Sequence, residues 1–331
     1  MTKSGITPNR RQILAGAATM ATAASLAGTK AAAEEMNFAG KSVLITGTSS
    51  GFGKLAAQHL ARHGATVIAS MRNVPRPEAE ELRDLASDEN LKLSVVEIDV
   101  TKPEQIASGV AEAESIAGGA LDVLINNAGI AYGGPIEIHD EQSISRIYDV
   151  NLYGYHRMAK AVLPKMRAAS TGHIFNVSSQ LGRLVLPNLG LYCSTKFAVE
   201  AMFEAMAYEL APFGVEVTII QPGGYPTKIW ENGTKNFEGL LERVGEERMA
   251  AYEAHLTIAQ GMFNGNQSTD PMDIPRAIAE IMAMPAGTRP LRRAVHPNTA
   301  GPDAVNGVAK MVQAGMLGNG PYASWHKAVS D

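Results

Sequence analysis

A single-domain α/β fold, one doubly wound parallel sheet with helices on both faces, is what this sequence predicts, and three observations predict it. Short apolar runs alternate with helix-forming segments along the chain. A glycine-rich loop joins the first run to the first helix, and the fourth run ends in a second motif, Asn126-Asn127-Ala128-Gly129. Strands are expected near 42–46, 65–70, 91–98, 121–125, 172–177 and 215–220, with a last short one near Leu291 to Val295. With right-handed crossovers and a switch in strand order, the glycine loop and the Asn127 motif fall at the same sheet edge. The 331 residues are 45% hydrophobic and 19% charged, the balance of one globular domain. No internal repeat or second set of elements interrupts the series.

In chain order, Ser42-Val43-Leu44-Ile45 runs into Thr46-Gly47-Thr48-Ser49-Ser50-Gly51-Phe52-Gly53 and then the helix-forming Lys54 to Leu60. Strand, glycine turn and helix make a dinucleotide site, because glycines admit the pyrophosphate and the helix N-terminus offers N–H groups. The spacing is Gly-x-x-x-Gly-x-Gly. Leu121 to Ile125 delivers the Asn127 motif to the carboxyl end of the sheet, where ligands of such folds lie. Asn151 is a polar residue early in a long amphipathic helix. Tyr192 and Lys196, four apart, share one helix face, with Ser179 thirteen residues upstream of the tyrosine. A phenol has a pKa of about 10, and an ammonium one turn away is expected to lower it, giving a tyrosine able to trade a proton with an alcohol or ketone oxygen.

Together these motifs resemble the short-chain dehydrogenase/reductase family, in its single-domain form of about 250 residues. The resemblance runs from about Lys41 to Val295 and includes the Pro-Gly loop Gln221-Pro222-Gly223-Gly224-Tyr225-Pro226-Thr227. It implies a Rossmann fold and an oxidoreductase acting on CH–OH groups. It also implies a catalytic tetrad of Asn151, Ser179, Tyr192 and Lys196. Tyr192 would be the general acid/base; Lys196 would lower its pKa and hold the nicotinamide ribose. Ser179 would bond the substrate oxygen, and Asn151 would anchor a water. Family spacing favours Ser179 over Ser178, and strand alternation turns Ser178 to the opposite face. The implied cofactor contacts are Gly47, Ser49, Ser50, Gly51, Phe52, Gly53, Arg72, Asp99, Val100, Asn127, Ala128, Gly129, Tyr192, Lys196, Pro222, Gly223 and Thr227. No metal is implied.

The cofactor choice is read after the second strand. Members selective for NAD(H) usually carry an acidic residue there, whereas this chain has Met71 and then Arg72. A guanidinium pairs with a 2′-phosphate that a carboxylate would repel. NADP(H) is therefore expected, with NAD(H) the alternative. Ser50 stands where some NADP-dependent relatives place a basic residue.

Residues 223–285 are expected to close over the nicotinamide. Trp230, Phe237, Leu240, Leu241, Met249, Tyr252, Leu256, Met262 and Phe263 offer apolar surface there, suited to a hydrophobic alcohol, ketone or aldehyde or to packing within the lid. Met272 to Pro285 reads as a helix opened by Asp270-Pro271 and ended by Pro285. The tail 296–331 carries a modest apolar stripe through Val305, Val308, Met311 and Val312 and is expected to pack on a neighbouring subunit or near the substrate mouth. A homodimer or homotetramer follows from the family by analogy.

Arg10-Arg11, an alanine-rich run and Ala31-Ala32-Ala33 read as a twin-arginine export signal over 1–33, cut after Ala33; the alternative is a cytoplasmic extension. The run is too short and alanine-rich for stable membrane insertion. Its removal, four positive charges with Lys3, Arg10, Arg11 and Lys30, takes the formal net charge from −4 to −8. Such an acidic body argues against nucleic acid or an anionic membrane as partner. A regulator that binds NADP(H) without turnover is the alternative function; the intact tetrad argues against it.

Overall fold

Five successive buried residues, Ser42–Thr46, form β1, and a strand buried on both faces must lie inside a sheet covered on both sides. The computed structural model describes residues 36–263 and 268–329; the proposed signal segment lies outside them, as does the side chain of Phe263. The strands are β1, β2 (Thr66–Met71), β3 (Leu93–Glu97), β4 (Val123–Asn126), β5 (Gly172–Val177), β6 (Val215–Pro222) and β7 (Arg292–Val295). All pair in parallel, in the order β3-β2-β1-β4-β5-β6-β7. The order reverses direction between β1 and β4, which opens a crevice at their carboxyl ends.

Helices α1 (Gly51–Arg62), α2 (Pro77–Asp88) and α3 (Pro103–Ala117) follow the first three strands. The next are α4 (Glu141–Tyr148), α5 (Gly154–Ala169) and α6 (Gly190–Leu210). Asp140 caps α4 by accepting from the Ser143 N–H at 2.8 Å. A single π-turn, Asp149–Tyr153, joins α4 to α5 and carries Asn151, the kind of irregularity that gathers at functional sites. Past β6 come α7 (Lys228–Leu241), α8 (Glu246–Ala251), α9 (Glu253–Phe263) and α10 (Asp273–Ala283). The last, inside the 272–285 interval, is ended as expected just before Pro285. The core is continuous from β1 to β6 through Leu44, Leu124, Ile174 and Val217, with Tyr155, Met158 and Phe203 packed from the helices.

The C-terminal segment forms α11 (Ala300–Leu317) and α12 (Ala323–Val329). It returns to the sheet edge of its own chain: a Cβ on Gly301 would touch the Leu184 side chain at 3.1 Å, and His326 packs on Tyr208 of α6 at 5.9 Å.

Candidate active site

The glycine loop is held shut by side chains the sequence motifs supply. Thr46 Oγ1, fully buried at the end of β1, accepts the N–H groups of Asn127 at 3.0 Å and Ala128 at 3.1 Å. Asn127 Nδ2 donates in return to the carbonyls of Thr46 at 2.9 Å and Gly47 at 3.2 Å. Strands β1 and β4 are thereby stapled where the crevice begins. Gly47 sits at φ +72°, and a Cβ on it would come 2.7 Å from Ala128 Cα. A Cβ on Gly53 would lie 2.4 Å from Asn127 Nδ2 and 2.5 Å from the Gly47 carbonyl oxygen. These two glycines are needed by the packing of the loop. Ser50 heads α1 without a side-chain cap bond, which leaves first-turn N–H groups for a ligand.

A cavity of about 660 Å³ runs along the carboxyl ends of the strands. Gly47, Ser49, Ser50, Gly51 and Phe52 line one end with Arg72, Asp99 and Val100. Asn127, Ala128, Gly129, Pro222, Gly223 and Thr227 line its middle, and Ser179, Tyr192 and Lys196 close the other end. Gly53 and Asn151 are not on the wall. Gly53 lies behind the loop, and the Asn151 amide is engaged inside the fold. Its Oδ1 accepts the Ile130 N–H at 2.9 Å; its Nδ2 donates to the Ile130 carbonyl at 2.9 Å and to Thr195 Oγ1 at 3.2 Å.

Arg72 is exposed at the outer end, beside Asp99, whose carboxyl lies below its usual range although burial pushes it up. The Thr101 N–H and hydroxyl chiefly hold it down, with the charges of Arg72 and Arg146 adding to them. Arg76 also lines the cavity, but Glu78 holds its guanidinium at 2.8 Å. No acidic side chain follows β2 directly.

At the inner end, Ser179 stands just past β5 and caps a short 3-10 turn, Gln180–Gly182, accepting from the Leu181 N–H at 3.1 Å. Ser178 also reaches the cavity wall, but its Oγ is turned under that turn, beside Gly182, where a Cβ would meet it at 2.7 Å. Lys196 is buried on α6; its Nζ donates to the Val177 carbonyl at 2.8 Å and lies 5.7 Å from the Tyr192 ring centre and 5.4 Å from that of Tyr155. Tyr155, which the sequence reading passed over, completes the enclosure; its hydroxyl donates to the same Val177 carbonyl at 3.1 Å. A buried tyrosine in an amphipathic helix gives no sequence signal beyond core packing.

The expected lowering of the Tyr192 pKa is corrected by the structure. Burial pushes the phenol up to about 12, with hydrogen bonding to Ser179 drawing it back. Burial also drives the Lys196 ammonium down to about 7, and Glu200 opposes that fall. Desolvation disfavours both charged forms and outweighs their mutual attraction across a ring-width.

Of the apolar residues picked out between 223 and 285 whose side chains are described, only Trp230 reaches the cavity. Phe237, Leu240, Leu241, Met249, Tyr252, Leu256 and Met262 pack among themselves with Ile138, Leu189 and Cys193. The wall beside Tyr192 is supplied instead by Ile130, Leu181, Leu184, Leu186, Leu189 and Ile229, with polar Gln180, Asn232 and Asn236 among them. Loop residues that follow no period could not be singled out beforehand. The groups present fit a nicotinamide dinucleotide: a long cavity, glycine backbone and uncapped helix N–H groups at one end, and a buried lysine at the other.

The family model for short chain dehydrogenase matches residues 41–237. An uncharacterised oxidoreductase of Bacillus subtilis, YusZ, is 37% identical over 73% of this chain and 84% of its own. Retinol dehydrogenase 8 of Bos taurus is 33% identical over 76% of this chain and 80% of its own. Among solved structures, a gluconate 5-dehydrogenase of Burkholderia cenocepacia, in complex with NADP and tartrate, is 30% identical. It aligns with a TM-score of 0.55 over 59% of this chain and 76% of its own.

Proposed function

The chain belongs to the short-chain dehydrogenase family and is an NAD(P)-dependent oxidoreductase acting on CH–OH groups; from that premise we propose NADP(H) as its cofactor and a hydrophobic alcohol, ketone or aldehyde as its substrate. The observation that carries the reading is the convergence of Ser179, Tyr192 and Lys196 at one end of a cavity whose other end is the glycine loop. When bound, the nicotinamide supplies or accepts the hydride. The chain does the rest. Tyr192 Oη gives its proton to the carbonyl oxygen in reduction and takes it from the alcohol in oxidation. Ser179 Oγ hydrogen-bonds the same oxygen and fixes it beside the phenol. Lys196 Nζ holds the ribose hydroxyls and stabilises the phenolate. Asn151 acts behind Lys196: a Cβ on Gly129 would lie 3.5 Å from Asn151 Oδ1 and 4.0 Å from Lys196 Nζ, so the two groups share that small volume.

Arg72 would bind the 2′-phosphate, since no carboxylate among the described residues pairs with it and none follows β2. The aliphatic wall around Tyr192 supports a hydrophobic substrate, as does the similarity to a retinol dehydrogenase. We further propose export by the segment 1–33 and assembly as a homodimer or homotetramer. Mass spectrometry of secreted protein for a start at Glu34, and sedimentation of the purified chain, test these two.

The functional test is a fluorescence titration with NADPH and NADH, followed by NADPH oxidation with retinal and a set of aliphatic and aromatic ketones. Tight NADPH binding with turnover on any of them is expected. Binding without turnover would favour the non-catalytic regulator, and no nucleotide binding would overturn the reading.

A further inference from the structure

Directly behind Lys196, a buried cluster of charges occupies the space between the catalytic helix and the C-terminal segment. Glu200, one turn further along α6, is 1% exposed. Its Oε1 accepts from Gln221 Nε2 at 2.8 Å and its Oε2 from Arg292 Nε at 2.8 Å. Arg292 also reaches Glu204 Oε2 at 2.5 Å, and Tyr208 donates to Glu204 Oε1 at 2.8 Å. Asn306 of α11 donates to Gln221 Oε1 at 2.7 Å and accepts from Arg183 Nε at 2.9 Å. Every oxygen of Glu200 is thus fixed, and packing leaves it no freedom: a Cβ on Gly182 would lie 3.0 Å from Glu200 Cγ and 3.2 Å from the Lys196 carbonyl oxygen.

The cluster answers a difficulty posed by Lys196. Its ammonium sits at the buried inner end of the cavity, and among the described residues no carboxylate pairs with it directly. The titratable groups around it are the rings of Tyr155 from α5 and Tyr192 from α6, neither of which carries charge at neutral pH, and Glu200. Arg292 from β7, Arg183 beyond the 3-10 turn and Glu204 stand behind Glu200, with Tyr208 and His326 further off. A carboxylate held about one helical turn away is the nearest fixed counter-charge.

We propose that Glu200 is a positioning residue of the reaction, the anion that keeps Lys196 protonated beneath Tyr192, itself held by Gln221, Arg292 and, through Gln221, by Asn306 of the C-terminal segment. The proposal rests on the reading of Lys196 given above. Burial takes the lysine down to about 7 even with Glu200 in place. Without that carboxylate more of it would be neutral at pH 7, and among the described residues Glu200 is the group that opposes the fall. Because Asn306 and Arg183 complete the cluster, residues far beyond the catalytic motifs bear on the charge of the catalytic pair.

The test reads Lys196 itself, in the full chain labelled with carbon-13 lysine. Its Cε resonance, identified by its loss in Lys196→Met, is followed from about pH 4 to 11, which spans the lowered midpoint of about 7, a further fall below it and ordinary lysine titration. Glu200→Gln is expected to lower the midpoint by about one unit, and Glu200→Asp to keep it near the parent's. Arg183→Gln removes a cation that competes for the same carboxylate and is expected to raise it. A role confined to packing would not move the midpoint in opposite directions. A midpoint unmoved in Glu200→Gln, or lowered in Arg183→Gln, overturns the proposal; should Glu200→Gln not fold, Arg183→Gln decides alone. NADPH-dependent reduction of retinal by the same proteins separates the two readings. Absent turnover in the parent with the shifts intact would count against the enzyme reading, and turnover with unmoved midpoints against Glu200.

Discussion

Replacing Thr46 by Val is the sharpest probe of how this site is built, because the two side chains have nearly the same shape. The hydroxyl accepts two backbone N–H groups, those of Asn127 and Ala128, and itself donates weakly to the Ile125 carbonyl at 3.5 Å. The substitution leaves both half-buried N–H groups without the partner that the fully buried Thr46 side chain gives them. An unpaired buried donor costs about 1–3 kcal/mol, so the pair costs about 2–6 kcal/mol. At about 2–4 °C per kcal/mol in a domain of this size, Tm is expected to fall by about 4–24 °C. Asn127 and Ala128 line the cavity, so NADPH affinity should weaken as well, by about tenfold if 1.4 kcal/mol of the loss falls on the bound state. The assays are calorimetry and NADPH fluorescence, with Thr46→Ser as the variant that keeps the hydroxyl. A Thr46→Val protein whose Tm lies within about 2 °C of the parent's, outside the range just derived, would refute the stapling argument.

Three further outcomes are expected. Tyr192→Phe should cut turnover by about 100-fold to 10,000-fold while NADPH binding stays within about threefold, since only the proton donor is lost; near-parental kcat would remove Tyr192 from its role. Arg72→Asp should swing the NADP/NAD ratio of kcat/KM towards NAD by about tenfold or more, one lost charge-assisted bond plus a new repulsion, and an unchanged ratio would clear Arg72 of any part. Burial first, then His63, Arg276 and Arg62, lower the pKa of His59 to about 4 from its usual 6.5. The unfolded chain takes up that proton near pH 6.5 and the folded chain only near 4, so this contribution to stability is complete above about pH 6.5 and lost as pH falls towards 4. His139 and His173, lowered by burial, act in the same direction. Tm should therefore drop between about pH 6.5 and 4 in the parent and less steeply in His59→Gln; parallel curves would reject the assignment.

Much of this was legible because it obeys short-range rules. The strands of the sheet were readable from apolar runs, and Gly47 and Gly53 from a motif whose glycines have no room for a Cβ. Ser179, Tyr192 and Lys196 were readable from spacing on a strand end and a helix. The cavity wall beside Tyr192 was not, because Ile130, Leu184 and Leu186 sit on connections with no period to betray a face. The apolar residues of α7 to α9 misled in a consistent way: helical spacing marks a buried face, and in this segment most of that face is turned to its own neighbours. The Glu200 cluster was invisible for another reason. Its members, Arg183, Glu200, Gln221, Arg292 and Asn306, come from five places in the chain, and nothing in the sequence says that they meet.

The same long-range assembly decides which form of the catalytic pair the chain favours. An ammonium and a phenol four residues apart suggest a charged pair, and in water that inference would hold. Enclosed as they are, each loses hydration on ionising, and the loss lifts Tyr192 to about 12 while it drags Lys196 to about 7. At neutral pH the chain by itself therefore keeps Tyr192 as an acid with its proton in place. That is the form reduction of a carbonyl requires. Oxidation requires the phenolate, and every group that sustains the Lys196 charge brings it closer: Glu200 first, and behind it the residues that hold Glu200 still. Two demands thus meet at one helix. Burial shapes the dry pocket in which a hydride can pass, and the buried carboxylate limits what that burial costs the lysine.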